Sequence, residues 1–158
     1  MRCVDFNART PMLLFVCMGN ICRSPMAEAI AVDAAKRDEV DVRVSSAGMS
    51  ALEGHEATEL TREALANIGL AIDDHRARQL TRELVTDSAL VVTATNRQRT
   101  DLHHFFRADQ AKIVSFDDIT GLGDLTDPYG SGPDAFARTA SLLKRGMPAI
   151  FSVLRERT

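Results

Sequence analysis

The sequence contains no apolar stretch approaching the ~20 residues that a membrane-spanning helix needs. Hydrophobic residues make up 45% of the 158 and charged residues 26%, which is the balance of an ordinary soluble protein with no call on a membrane. A basic excess is also missing, since the formal net charge is -3. A general nucleic-acid binder needs a positive face to neutralise phosphates, so phosphate recognition here has to be local, made by a few groups in one pocket. Cysteine is scarce: Cys3, Cys17 and Cys22 all lie near the start, with no later cysteine to pair with them. That argues against a secreted disulfide framework and for a reducing, cytoplasmic setting. The opening residues lack an apolar core and carry Asp5, Asn7 and Arg9, unlike a secretory signal. Residues 1–10 are expected to form a ragged leader and residues 11–158 a single domain. Internal repeats, low-complexity tracts and linkers are absent.

What the chain does contain is an alternation of strand-like and helix-like segments. Residues 11–16 form a short continuous apolar run, as in a strand buried on both faces. Gly19 and Asn20 interrupt the pattern and both tolerate positive φ. Ser24 and Pro25 then open a helix, with Ser24 as the cap and an apolar face of Met26, Ala29, Ile30 and Ala34. Val40, Val42 and Val44 alternate with Asp41 and Arg43, predicting a second strand that ends at Ser45-Ser46-Ala47-Gly48. Further strands are expected over residues 89–93 and 112–116, and helices over 56–68, 81–86 and 96–106. Residues 121–132 read as a turn-rich loop. The last helix, 133–154, should kink or split at Pro148, which removes a backbone hydrogen bond. This order implies an open α/β fold: a three-layer sandwich in which a four-stranded parallel sheet is flanked by helices. Such sheets bind ligands beyond the carboxyl ends of their strands, an edge that both Cys17 and Asp127 can reach.

The stretch Cys17-Met18-Gly19-Asn20-Ile21-Cys22-Arg23-Ser24-Pro25 carries the chemistry. A cysteine and an arginine separated by five residues, between a buried strand and a helix start, make an anion cradle. Inward-pointing backbone N–H groups and the helix dipole supply positive potential. Arg23 can grip two phosphate oxygens with its planar fork. The same field favours a thiolate on Cys17, and a thiolate is the nucleophile that attacks phosphorus. Donors that bind the phosphate also stabilise the equatorial oxygens of the transition state. Ser24 can donate to the thiolate as it leaves. A cysteine and an arginine at this spacing would mean little alone, since a buried structural cysteine beside a surface arginine gives the same pattern. The flanking Gly, Asn, Ser and Pro and the strand-to-helix setting are what mark a site.

The segment 13–28, LLFVCMGNICRSPMAE, resembles the signature of the low-molecular-weight protein tyrosine phosphatases. The likeness continues in Ser45-Ser46-Ala47-Gly48, in His75-Arg76-Ala77-Arg78-Gln79-Leu80 and in Asp127-Pro128-Tyr129-Gly130. The resemblance implies a four-stranded parallel sheet, chemistry without metal or cofactor, and phosphorylated proteins as substrates of a monomer or weak dimer. It implies Cys17, Arg23 and Asp127 as catalytic residues. Asp127, mere loop punctuation in isolation, becomes the acid that protonates the leaving oxygen and then activates water; Asp124 is its nearest substitute. Met18, Gly19, Asn20, Ile21, Cys22 and Ser24 are implied as the substrate-binding loop, with Met49, Leu52 and Tyr129 around the entrance. Asn20, Ser46 and His75 match positions that hold the loop in shape. Cys22 stands where family members can form a disulfide with the nucleophile, or it is a small packed side chain. Thr93-Ala94-Thr95-Asn96 departs from the family in lacking an acidic residue.

The resemblance leaves the substrate to be decided. A protein-arginine phosphatase branch shares the scaffold and often has Thr where Ile21 stands; Ile21 offers an apolar wall and favours phosphotyrosine. Residues 116–137 resemble the arginine branch about as well. An arsenate reductase would need further cysteines to relay a disulfide, and none follows Cys22. A silent phosphoprotein-binding module is at odds with the presence of Cys17, Arg23 and Asp127 together. A nucleotide-binding loop is excluded by the absence of the Gly-Lys-Ser/Thr ending.

Overall fold

The computed structural model describes residues 10–158; all but the last residue of the leader expected over residues 1–10 lies outside them. The apolar run after Pro11 forms β1 (Met12–Cys17), buried at every position. It is followed by α1 (Arg23–Arg37), β2 (Arg43–Gly48), α2 (Glu59–Ala66), α3 (Arg82–Asp87), β3 (Leu90–Thr93) and α4 (Asn96–Phe105). A 3-10 turn (Arg107–Lys112) leads into β4 (Ile113–Ser115), α5 (Phe116–Thr120) and α6 (Pro133–Glu156). The strands form one sheet in the order β2-β1-β3-β4, and every pairing is parallel.

Period-two alternation sorts β1 between two apolar layers. Leu13 and Phe15 face Met26 and Ile30 of α1, Leu65 of α2 and Leu143 and Phe151 of α6. Leu14 and Val16 face Val85 of α3 and Leu102 of α4. The molecule is thus the expected three-layer sandwich, with the catalytic-loop sequence leaving the carboxyl end of a central strand.

Three local expectations need correction. The second strand begins at Arg43, opposite Met12, and runs to Gly48, opposite Cys17; pairing with β1 overrides the valine alternation that suggested residues 40–44. The fourth strand stops at Ser115 because Ser115 and Asp118 form a capping box that starts α5 at Phe116. The last helix does not split at Pro148 but runs on through it. The carbonyl that Pro148 leaves without an intrahelical donor belongs to exposed Lys144, where water can replace the missing bond, while Met147, Ile150 and Phe151 hold the helix to the core.

Candidate active site

Cys17 is the last residue of β1, and the chain then turns through residues 18–22 into α1. The turn is shaped from outside. The carbonyls of Cys17, Met18 and Gly19 accept the N–H groups of Met49, Ser50 and Leu52 at 2.9, 2.9 and 3.1 Å. The Asn20 carbonyl accepts from His75 Nε2 at 2.8 Å, and the Ile21 carbonyl from Thr58 N–H at 3.0 Å and the Thr61 hydroxyl at 3.2 Å. In a trans peptide the carbonyl and the following N–H point in opposite directions. Five consecutive carbonyls drawn outward therefore aim the N–H groups of residues 18–22 into the cradle. Among the described residues, no backbone carbonyl takes up those five N–H groups.

The side chain of Asn20, fully buried and with φ of 58°, holds the loop from within. The left-handed conformation falls on Asn20 and not on Gly19, and Asn is one of the few side chains that accept it. Its Oδ1 accepts from Arg78 N–H at 3.0 Å, and its Nδ2 donates to Ser24 Oγ at 2.8 Å and to Ser46 Oγ at 3.0 Å. Ser46 in turn donates to Glu28 Oε2 at 2.7 Å. Ser24 does not cap α1: Cys22 occupies that position without a side-chain bond, and Ser24 Oγ stands 2.9 Å from Cys17 Sγ.

Arg23 is 5% exposed. Its Nη1 donates to the Leu125 carbonyl at 3.0 Å, and its Nη2 lies 3.8 Å from Asp127 Oδ2. Its Nε is buried without a partner, an unmet donor of the kind a bound anion satisfies. Asp127 is more than half exposed, and its Oδ1 accepts from Tyr129 N–H at 3.1 Å. Cys17, Arg23 and Asp127 share a cavity of about 340 Å³. Met18, Gly19, Ile21 and Cys22 form its floor side, and Leu52 and Tyr129 flank it. Cys17 and Cys22 are both free thiols. Burial pushes the Cys22 thiol up, and the neighbouring Cys17 and Asp127 add to this; hydrogen bonding with Thr58 and Thr61 offsets only part of it.

Met49 needs correction as an entrance residue. Its side chain packs against the apolar cluster that includes Leu14, Val16, Val85 and Leu102, and the next residue, Ser50, lines the cavity instead. Both residues lie in the turn that follows β2. A larger cavity of about 770 Å³ lies behind the loop, lined by Glu28, Ser46, His75 and Arg78 among others. Neither Cys17 nor Arg23 lines it; both line the smaller one. Among the described residues no three His, Cys, Asp or Glu side chains are grouped to hold a metal ion.

Sequence reasoning missed Glu28 and Arg78 as loop supports. Arg78 binds the loop through its N–H and binds the Ser46 carbonyl through Nε at 3.0 Å. Both residues sit inside the family-like segments 13–28 and 75–80, but nothing in those segments alone distinguishes them from surface charges. The missing acid before α4 also has an explanation: Thr95 caps that helix, in a capping box with Gln98.

Comparison with known proteins points to one family. The family model described as "Low molecular weight phosphotyrosine protein phosphatase" matches residues 12–158. The chain is 35% identical over 134 residues to the protein-arginine-phosphatase of Bacillus subtilis, covering 84% of this chain and 89% of that one. It is 34% identical over 137 residues to the probable low molecular weight protein-tyrosine-phosphatase EpsP of Ralstonia nicotianae, covering 87% and 91%. The crystal structure of the low molecular weight protein tyrosine phosphatase from T. tengcongensis superposes with a TM-score of 0.86 at 34% identity, covering 90% of this chain and 99% of that one.

Proposed function

We propose that this chain, which belongs to the low-molecular-weight phosphotyrosine protein phosphatase family, hydrolyses phosphotyrosine on proteins through a phosphocysteine on Cys17. The observation that carries the reading is one cavity in which Cys17, Arg23 and Asp127 meet the apolar side chains of Met18, Ile21 and Leu52. The N–H groups of residues 18–22 and the Arg23 fork grip the three non-bridging oxygens, and they bind more tightly as charge spreads over them in the transition state. The Cys17 thiolate attacks phosphorus in line as the bond to the phenolic oxygen breaks, and Asp127 gives that oxygen its proton. Asp127 then takes a proton from water as the water attacks the phosphocysteine. Inorganic phosphate leaves, and the thiolate returns with a proton from Ser24 oriented toward it.

The apolar walls support phosphotyrosine. Ile21, Met18 and Leu52 suit the faces of an aryl ring, and exposed Tyr129 can stack on it. The 35% identity to a protein-arginine-phosphatase supports the second reading, phosphoarginine. Two peptides of one sequence, bearing phosphotyrosine or phosphoarginine, decide between them. Phosphotyrosine is expected to give the higher kcat/KM, and Ile21→Thr to narrow the gap; a higher value for phosphoarginine overturns the substrate assignment. Hydrolysis of p-nitrophenyl phosphate with chelator present tests the chemistry. The product burst is expected to vanish in Cys17→Ser and turnover to slow in Asp127→Ala. An inert wild type, or an active Cys17→Ser, leaves a phosphate-binding module. In the same reading the enzyme is a monomer or weak dimer and works in the cytoplasm, and the free thiols of Cys17 and Cys22 support that compartment.

A further inference from the structure

Asp127 rides on an irregular segment between α5 and α6, yet the upstream half of that segment is fixed, and the fixing groups converge on Asn96. The Asn96 backbone N–H donates to Asp124 Oδ1 at 2.9 Å. Its side-chain Nδ2 donates to Asp117 Oδ2 at 3.1 Å, and Asp117 Oδ1 accepts from Gly123 N–H at 2.9 Å. Asn96 Oδ1 accepts from the Ser115 hydroxyl and, at 3.4 Å, from Arg99 Nη1. The amide is therefore read in one orientation, with its oxygen toward donors and its nitrogen toward a carboxylate. One step further along, Leu125 N–H donates to the Ala94 carbonyl at 2.9 Å, and the Leu125 carbonyl accepts from Arg23 Nη1. Asp127 is two residues beyond that point.

We infer that Asn96 is a positioning residue for Asp127: together with Asp117 and Asp124 it sets where the loop carries the catalytic carboxyl relative to Arg23 and Cys17. The inference rests on the reading of Asp127 as the general acid. Neither Asn96 nor Asp117 lines the cavity, so both act through the loop. A segment without regular hydrogen bonds has many conformers to lose, while proton transfer requires the carboxyl within hydrogen-bond reach of the leaving oxygen. A displacement of about 1 Å is enough to cost much of that contribution.

A reciprocal swap tests this. In Asn96→Asp two carboxylates face each other and the clasp opens. In the double variant Asn96→Asp/Asp117→Asn the new amide at 117 donates to the new carboxylate at 96, and its oxygen still accepts from Gly123. The readout is stopped-flow release of phenol from phenyl phosphate and of 2,4-dinitrophenolate from its phosphate ester, in single turnover with enzyme in excess. The second leaving group departs without a proton, so it reports everything except the acid. Asn96→Asp is expected to slow phenol release about tenfold and dinitrophenolate release less than about twofold, with the double variant returning phenol release to within about twofold of wild type. Equal slowing for both leaving groups, no slowing, or failure of the double variant to restore phenol release overturns the inference. If Asn96→Asp does not fold, Asp117→Asn alone, which loses one hydrogen bond of the clasp, is read the same way with a phenol-selective loss of about threefold expected. Asp127→Ala runs in parallel. If it shows no leaving-group dependence, the general-acid reading fails and the inference with it; if it does and Asn96→Asp does not, only the inference fails.

Discussion

Ser24 Oγ stands 2.9 Å from Cys17 Sγ and accepts a hydrogen bond from Asn20 Nδ2 at 2.8 Å. An amide nitrogen can only donate, so the Ser24 proton is left free to point at sulfur; its other acceptor, the Ala47 carbonyl, is 3.5 Å away. The second Asn20 proton goes to Ser46, whose own proton goes to Glu28. A carboxylate accepts only, so it fixes the direction of the whole chain, which ends at the nucleophile.

Ser24→Ala removes the last donor of that chain. Breakdown of the phosphocysteine is expected to slow about 100-fold, a cost of the size seen when one transition-state donor is lost. In pre-steady-state traces the burst should survive while the steady state falls. An unchanged ratio of burst to steady-state rate counts against the role.

Gly48→Ala sets a Cβ 2.7 Å from the Met18 carbonyl oxygen and 3.1 Å from Ala51. That oxygen is the acceptor for Ser50 N–H, so the cradle shifts with it. The substitution is expected to cost about 1–3 kcal/mol and to lower kcat/KM. Gly19→Ala, whose Cβ has no neighbour nearer than 3.6 Å, should unfold at nearly the wild-type urea concentration. Urea titrations of the two variants give the comparison.

Asp118 predicts part of the acid sensitivity. Burial raises its carboxyl, but hydrogen bonds from Ser115 N–H and the Arg99 guanidinium outweigh this and hold it below the usual carboxylate range. A depressed folded-state value contributes stability that is present above about pH 4, the unfolded value, and is lost as pH falls through the folded value. Asp118→Asn should therefore be less stable than wild type at pH 7, with the difference shrinking as urea midpoints are followed below about pH 4. A difference independent of pH removes Asp118 from the account.

Cys22 should be a slow thiol. Burial keeps it protonated at neutral pH, and a neutral thiol is a poor nucleophile. Timed iodoacetamide treatment followed by peptide mass mapping is expected to label Cys17 first and Cys22 only in alkaline solution. Comparable labelling of both at pH 7 contradicts this.

The sheet and the cradle were legible because each rests on local chemistry: an uninterrupted apolar run for β1, and Gly, Asn, Ser and Pro at fixed offsets after it. What was not legible depends on partners distant in sequence. The start of β2 is chosen by register with β1, not by its own valines. Met49 and Ser50 are neighbours in the turn after β2, and which of them meets the cavity is set by the bonds of that turn to the distant Cys17 and Met18 carbonyls. Glu28 and Arg78 read as surface charges until Ser46 and Asn20 fold against them. The capping box of Ser115 and Asp118 was readable as Ser-x-x-Asp, but the apolar run before it concealed the boundary.

The position of β1 between β2 and β3 has a consequence for how the molecule ages. Backbone amides in a strand bonded on both sides exchange with solvent only when the whole structure opens, whereas a polar surface segment opens alone and often. Cys17 thus lies in the part of the chain that opens last, and Asp127, more than half exposed and beyond the fixed upstream half of its segment, in a part that opens earlier. Proteases meet the segment around Asp127 first. On the proposed reading, local opening there disturbs the group that gives the proton before it disturbs the strand that carries Cys17.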